Sequence, residues 1–324
     1  MTDQAAAAGK SKKKDLVCVT GATGFVASWL IKCLLADGYT VRGTVRDPGN
    51  EQKTAHLWAL PGAKERLELV KADLLTAGSY DEAVSGCDGV FHTATAVVLI
   101  ESDPQSEMID PAVFGTLNVL RSCKKSRSVK RVVMTSSSAA VRFNSIFPSA
   151  TIPLDETVWS SIWYAVAKTL AEKEAWQFAS DNQLDLIVVL PSFVVGPSLP
   201  ADNSKTVNDV LHLLKGDGSL IGMLGRMGYV HIDDVARAHL LVYQEPSARG
   251  RYLCSATELE PEQLCRLVAA RYPHLPIPTR LENVPPVPYY TLNSSKLEKL
   301  GLKFKPVETM FDDCIAWFRN KHML

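Results

Sequence analysis

Tyr164 and Lys168 lie four residues apart in WYAVAKTLAE, so on a helix they share one face. Ser137 sits in MTSSSAA, at the end of an apolar run that reads as a strand. A phenol, an ammonium and a hydroxyl at one sheet edge suit carbonyl reduction. Tyr164 would donate the proton that an alkoxide gains as hydride arrives. Lys168 would lower the phenol pKa and hold a ribose, and Ser137 would hydrogen-bond the substrate oxygen as negative charge develops there. A YxxxK pair arises by chance in many helices, and serine runs at strand ends are common. Ser136 and Ser138 are alternatives to Ser137, because neighbours on an extended chain point opposite ways.

TGATGFVA (20–27) follows the first strand-like run and opens the first helical one. Gly21 permits a tight turn, Gly24 lets backbone N–H groups approach a pyrophosphate, and Ala27 is small enough for close helix–sheet packing. The dinucleotide-contacting set here is Gly21, Ala22, Thr23, Gly24, Phe25 and Val26. At the end of the second strand stands Val45-Arg46-Asp47-Pro48, with Lys53 one turn into the next helix. Arg46 can fork onto a 2′-phosphate and Lys53 can add a point charge, which favours NADPH. Asp47 facing the ribose would favour NAD instead, but its place before Pro48 suits a turn. Asp73 and Leu74 end the third strand, where adenine would lie, and Thr93, Ala94 and Thr95 end the fourth, near the nicotinamide.

These residues need a scaffold, and the alternation of apolar runs supplies it. Strand-like segments at 15–20, 40–45, 66–74, 89–95, 130–137 and 185–192 are separated by helical patterns, including 107–125 and 161–180. Such alternation predicts an α/β fold, a Rossmann-type doubly wound parallel sheet with a smaller C-terminal substrate lobe. Residues 1–14 read as a disordered tail and 15–197 as the nucleotide-binding domain, with 229–254 returning to it. The lobe comprises 198–228 and 255–324: an apolar helix at 207–215, a proline-rich stretch at 272–288 and an amphipathic helix at 306–320.

The 324 residues carry 35 Lys plus Arg and 35 Asp plus Glu, a net charge of zero, so no global field favours nucleic acid. No apolar run reaches membrane-spanning length and the N-terminus has no secretory h-region, so a cytoplasmic protein without membrane insertion is expected. The seven scattered cysteines read as reduced core residues, and no metal is expected. His231 with Asp233 and Asp234 could suggest a metal or acid–base site, but HIDD opening a helix better suits a cap.

TGATGFVASWL, TVRDP, KADL, VFHTAT, TSS, YxxxK, LPSFVVGP and YVHIDDVA together resemble the extended short-chain dehydrogenase/reductases. Within these, the chain is similar to the plant dihydroflavonol 4-reductase and cinnamoyl-CoA reductase branch over about 15–320. DPGNEQKTAHLWALPGAKERL, VGPSLPAD and LGLKFKPVETMFDDCI look like the tetraketide α-pyrone reductases, which reduce a polyketide carbonyl on the route to sporopollenin. The resemblance implies catalysis by Ser137, Tyr164 and Lys168, and 2′-phosphate binding by Arg46 and Lys53. It implies cofactor contacts from Asp73, Leu74 and Thr93 to Thr95, with Pro191, Ser192, Phe193, Val194 and Thr206 lining the nicotinamide side.

The chain departs from that pattern in places. Only SSI separates Trp159 from Trp163 where relatives carry a longer insert bordering the substrate pocket, and Ala96 replaces a common Pro. Arg142 stands where dihydroflavonol reductases place a substrate-reading Asn, and Gly228 where they have Gln. Both argue against a dihydroflavonol and mark Arg142 and Gly228 as substrate-side positions. The resulting expectation is NADPH-dependent reduction of a small-molecule ketone derived from a polyketide. The alternatives are a cinnamoyl-CoA or flavonoid-type carbonyl, and a catalytically weak NADPH-binding protein. The oligomeric state is left open between monomer and dimer.

Overall fold

The computed structural model describes residues 14–95, 103–142, 163–200, 204–281, 284 and 289–324, with the side chains of 163 and 164 outside the description. The tail 1–13, the SSI segment before Trp163 and Ala96 therefore lie outside the described residues. The N-terminal half alternates β1 (Leu16–Val19), α1 (Phe25–Ala36), β2 (Thr40–Val45), α2 (Glu51–Trp58), α3 (Ala63–Arg66) and β3 (Leu67–Lys71). Next come α4 (Asp81–Val84), β4 (Gly89–His92), α5 (Asp110–Ser126), β5 (Arg131–Thr135), α6 (Ala139–Arg142), α7 (Trp163–Asn182) and β6 (Leu186–Pro191). Then follow β7 (Phe193–Val195), α8 (Lys205–Leu214), α9 (Ser219–Leu224), β8 (Met227–His231) and α10 (Ile232–Gln244). The chain closes with β9 (Gly250–Cys254), β10 (Thr257–Leu259), α11 (Pro261–Arg271), α12 (Ser295–Lys299) and α13 (Val307–Asn320).

Seven strands form one parallel sheet in the order β3-β2-β1-β4-β5-β6-β9. The order reverses between β1 and β4, the point at whose carboxyl edge sheets of this kind hold their ligand. Adjacent strand residues fill two apolar layers. Val17, Val19, Phe91, Val133, Ile187 and Val189 pack with α1 and α10. Cys18, Val90, Val132, Met134, Val188 and Leu190 pack with α5 and α7 on the other face. Strands buried on both faces lose the polar alternation of a half-exposed sheet, which is why they read as continuous apolar runs.

A second sheet, β10-β8-β7, lies outside this body. Its β8 packs Met227 and Tyr229 into a separate core with α8, α11 and α13. Met310, Phe311, Ile315 and Phe318 of the amphipathic terminal helix are all buried there. The glycine-containing stretch 216–228 holds α9 and the first two residues of β8. All seven cysteines are free, six of them buried. Among the described residues no helix is long and apolar enough to cross a membrane.

Candidate active site

Gly21 meets two separate demands. Its φ is +67°, and a Cβ there would lie 3.0 Å from the Ala94 Cβ. Gly24 opens α1 with an ordinary φ of −74°, no side-chain cap and no acidic residue in the first turn. Its Cβ would face the Gly21 carbonyl at 3.1 Å. A helix start left uncapped beside two glycines is a cradle that a pyrophosphate completes. The loop rests on β2, where Ala22 N–H donates to the Thr44 carbonyl and Gly21 N–H to Thr44 Oγ1, at 2.8 and 3.0 Å. Gly43 makes room for it, since a Cβ at Gly43 would come within 2.9 Å of the Ala22 Cβ. Neither Thr44 nor Gly43 carries a sequence signal beyond a strand residue.

Beside the loop a cavity of about 490 Å³ is lined by Thr23, Val45, Arg46, Asp47, Asn50, Gln52, Lys53 and Pro200. Arg46 and Lys53 are exposed at its wall, and among the described residues neither makes an ion pair. The Asp47 carboxylate accepts from Gly49 N–H at 3.0 Å, a turn contact, and Asn50 caps α2 through Lys53 N–H at 3.1 Å. Asp73 accepts from Leu75 N–H at 2.8 Å, and the following loop is held by Asn118, which donates to the Leu74 and Thr76 carbonyls. Gly115 of α5 admits Leu74.

At the switch point Thr20 joins β1 to β4. Its Oγ1 accepts from the N–H groups of Thr93 and Ala94 at 3.1 and 3.0 Å, and its carbonyl accepts from Thr93 Oγ1. Thr95 follows, exposed at the edge. His92 is buried between Thr20 and Thr116, with Nδ1 3.0 Å from Thr20 Oγ1. Burial, aided by the Lys168 charge, pushes His92 down to about 3, so the ring is neutral. Thr20, His92 and Asn118 were not singled out from sequence, because small polar residues at strand ends are too common to stand out.

The three serines after β5 have separate surroundings. Ser136 is buried and its hydroxyl donates to Glu172 at 2.7 Å. Ser138 N–H bonds the Pro191 carbonyl. Ser137 is half-buried and its Oγ accepts from Ala139 N–H at 3.1 Å, at the start of α6. Lys168 is half-buried on α7, and burial pushes its ammonium down to about 8 against the opposing pull of Glu172. Tyr164 stands one turn earlier on the same helix.

On the other side of the switch point, Pro191 ends β6. Ser192 N–H donates to the Cys254 carbonyl at 3.0 Å, and Phe193 stacks edge-on to Tyr229. Val194 is buried in β7, and Thr206 on α8 bonds Ser204. Arg142 is buried at the end of α6 and reaches the Arg226 carbonyl and the Tyr290 hydroxyl, both at 3.4 Å. Gly228 is enclosed, as a Cβ there would meet Ser255 Oγ at 2.5 Å and the Ser192 Cβ at 3.0 Å. His231 caps α10, accepting Asp233 N–H at 3.0 Å, while Asp234 accepts Lys305 N–H. This is the loop-and-cap role.

Residues 17–254 match the NAD dependent epimerase/dehydratase family. The chain belongs to it. Over 311 residues it is 57% identical to tetraketide α-pyrone reductase 1 of Arabidopsis thaliana, covering 94% of this chain and 95% of that one. Vestitone reductase from alfalfa (Medicago sativa) superposes with a TM-score of 0.83 at 36% identity, over 96% of this chain and all of that one. Yeast methylglyoxal/isovaleraldehyde reductase Gre2, solved with NADPH, gives 0.81 at 26% identity, over 95% and 100%. The protein is an extended short-chain dehydrogenase/reductase, an oxidoreductase that uses NAD(P)H. The glycine cradle, the switch point and the basic wall fit that cofactor.

Proposed function

We propose that this enzyme uses NADPH to reduce a ketone carbonyl of a polyketide-derived α-pyrone, the type of step that supplies sporopollenin precursors. The 57% identity to a tetraketide α-pyrone reductase across 94% of the chain carries the substrate reading. Arg46 and Lys53, unpaired among the described residues at the cavity wall, support a 2′-phosphate over a bare ribose. Bound NADPH supplies the hydride. Gly21 to Val26 hold the pyrophosphate, Asp73 and Leu74 border the adenine, and Thr93 to Thr95 with Pro191 to Val194 and Thr206 border the nicotinamide.

Tyr164 gives its phenolic proton to the carbonyl oxygen as the C–H bond forms, so one hydride and one proton convert the ketone to an alcohol. Lys168 stabilises the resulting phenolate, and the Ser137 hydroxyl donates to the substrate oxygen. Residues 198–228 and 255–324 form the substrate lobe, with Arg142 and Gly228 on its inner side. Seven free cysteines, mostly buried, suit a reducing cytosol.

Purified protein with NADPH, tested against α-pyrones, flavonoids and hydroxycinnamoyl-CoA thioesters, decides the reading. Preferential oxidation of NADPH with the pyrones is expected. Preference for a thioester or flavonoid overturns the substrate, and tight NADPH binding without turnover across the panel indicates a catalytically weak binding protein.

A further inference from the structure

We infer that Glu172 is a positioning residue for the reduction, holding the Lys168 ammonium in place from one helical turn below. This rests on the role given to Lys168 above. Tyr164, Lys168 and Glu172 recur every four residues and so share one face of α7. The Glu172 side chain is wholly buried. Its Oε2 accepts from Ser136 Oγ at 2.7 Å, and its Oε1 accepts from Arg251 Nε at 2.6 Å and from Trp176 Nε1 at 3.3 Å. Arg251 Nη2 reaches Oε2 at 3.3 Å, which makes the pair bidentate.

Ser136 lies at the carboxyl end of β5 and Arg251 in β9, with β6 between the two strands. One carboxylate therefore fastens the helix carrying Tyr164 and Lys168 to two strands of the sheet. A helix held by apolar packing alone can slide or roll; bidentate pairing fixes its register and rotation. The cost of burying a carboxylate is tolerable only because every lone-pair direction is engaged.

The second contribution is electrostatic. Lys168 loses solvation where it sits, and the Glu172 charge opposes that loss. From β4 the neighbouring titratable group is His92, already neutral. Arg251 of β9 faces Glu172, and Ser136 of the β5 terminus is uncharged. Arg142 of α6 engages the Arg226 carbonyl and Tyr290, and Asp110 and Arg121 of α5 border an outer groove with the exposed Glu174. Glu172 is the carboxylate whose charge acts on the ammonium.

The test is the pH dependence of NADPH affinity, read from protein fluorescence on either side of pH 8, in parallel with the pH dependence of kcat/KM on the best panel substrate. Deprotonation of Lys168 weakens its hold on the ribose, so affinity falls as pH rises. In Glu172→Gln the midpoint of that fall is expected to move down by at least about half a unit, because an opposite charge has been removed. A purely structural Glu172 would lower Tm and leave the midpoint where it is, and that result overturns the inference.

If Glu172→Gln fails to fold, Glu172→Met with Arg251→Met removes both charges together, an exchange that buried pairs often tolerate. A downward shift smaller than that of Glu172→Gln is expected in it, because the Arg251 charge leaves together with the carboxylate. An unchanged midpoint, or failure of this variant to fold as well, overturns the inference by assigning the pair to the fold itself. Lys168→Met separates the two readings. If it keeps full turnover, the role of Lys168 fails; if it is inactive while the Glu172→Gln midpoint stays fixed, only the present inference fails.

Discussion

Substituting the two loop glycines one at a time separates backbone strain from cofactor exclusion. Gly21 has φ +67°, and a methyl there meets the Ala94 Cβ at 3.0 Å and its Cα at 3.2 Å. The left-handed conformation costs an alanine about 1–2 kcal/mol. Crowding against a backbone atom that cannot rotate away adds about 1–3 kcal/mol. Gly21→Ala should therefore lose about 2–5 kcal/mol of stability. Gly24 has a φ of −74° that alanine adopts freely, and its nearest contact is one carbonyl at 3.1 Å. Its substitution at the start of α1 should cost about 1 kcal/mol or less.

The same methyl at Gly24 would project where backbone N–H groups must approach a pyrophosphate, so NADPH affinity should drop about tenfold or more, roughly 1.4 kcal/mol. Denaturant melts and fluorescence titration with NADPH measure the two quantities on each variant. Gly21→Ala should lose both stability and affinity, and Gly24→Ala mainly affinity. Wild-type NADPH affinity in Gly24→Ala would refute the cradle, and wild-type stability in Gly21→Ala would refute the strain argument.

Arg46→Ser combined with Lys53→Ala should weaken NADPH by about tenfold or more while leaving NADH nearly unchanged, since charged hydrogen bonds contribute about 1.5–3 kcal/mol and these are exposed; equal losses for both cofactors would sink the 2′-phosphate assignment. Tyr164→Phe should cut turnover about a hundredfold or more with NADPH affinity retained, and unchanged turnover eliminates the proton-donor role. In the wild type, kcat/KM for reduction should fall as pH rises through about 8, where Lys168 loses its proton. The folding contribution has the opposite sign. The native ammonium releases its proton at about 8 and the unfolded one near ~10.4. Its burial cost is therefore fully present below 8 and is relieved across that interval, so unfolding free energies measured there should show this group's share rising.

The body of the fold was legible because its strands are buried on both faces. TVRGTV occupies β2 residue for residue, and the predicted tail helix differs from α13 by one residue at its start. β7 and β10 have three residues each, too few for a period to show. β9 is hidden differently, as GRYLC carries a glycine and an arginine, and Arg251 tolerates burial only because Glu172, 79 positions away, meets it. Of the site, the glycine loop was readable because a strand-to-helix turn around a phosphate demands particular residue types. Thr20, Gly43 and Asn118 act by supporting that loop and its neighbours across the sheet, and no local pattern marks a partner 20 or more residues distant.

The place of β9 bears on how the chain is made. Six strands of the nucleotide-binding sheet are complete by Pro191, but the seventh is synthesised only after the helices and strands of 193–244. Until Gly250–Cys254 leaves the ribosome, the nascent sheet ends at β6, whose six residues are buried in the finished protein. An apolar, hydrogen-bond-hungry edge exposed for that interval is a template for wrong pairing. Strand β7 and the start of the lobe follow directly after β6, so the early lobe can shelter that edge during synthesis. Fragments ending shortly after residue 191 should accumulate as aggregates, whereas those extended past 254 stay dispersed.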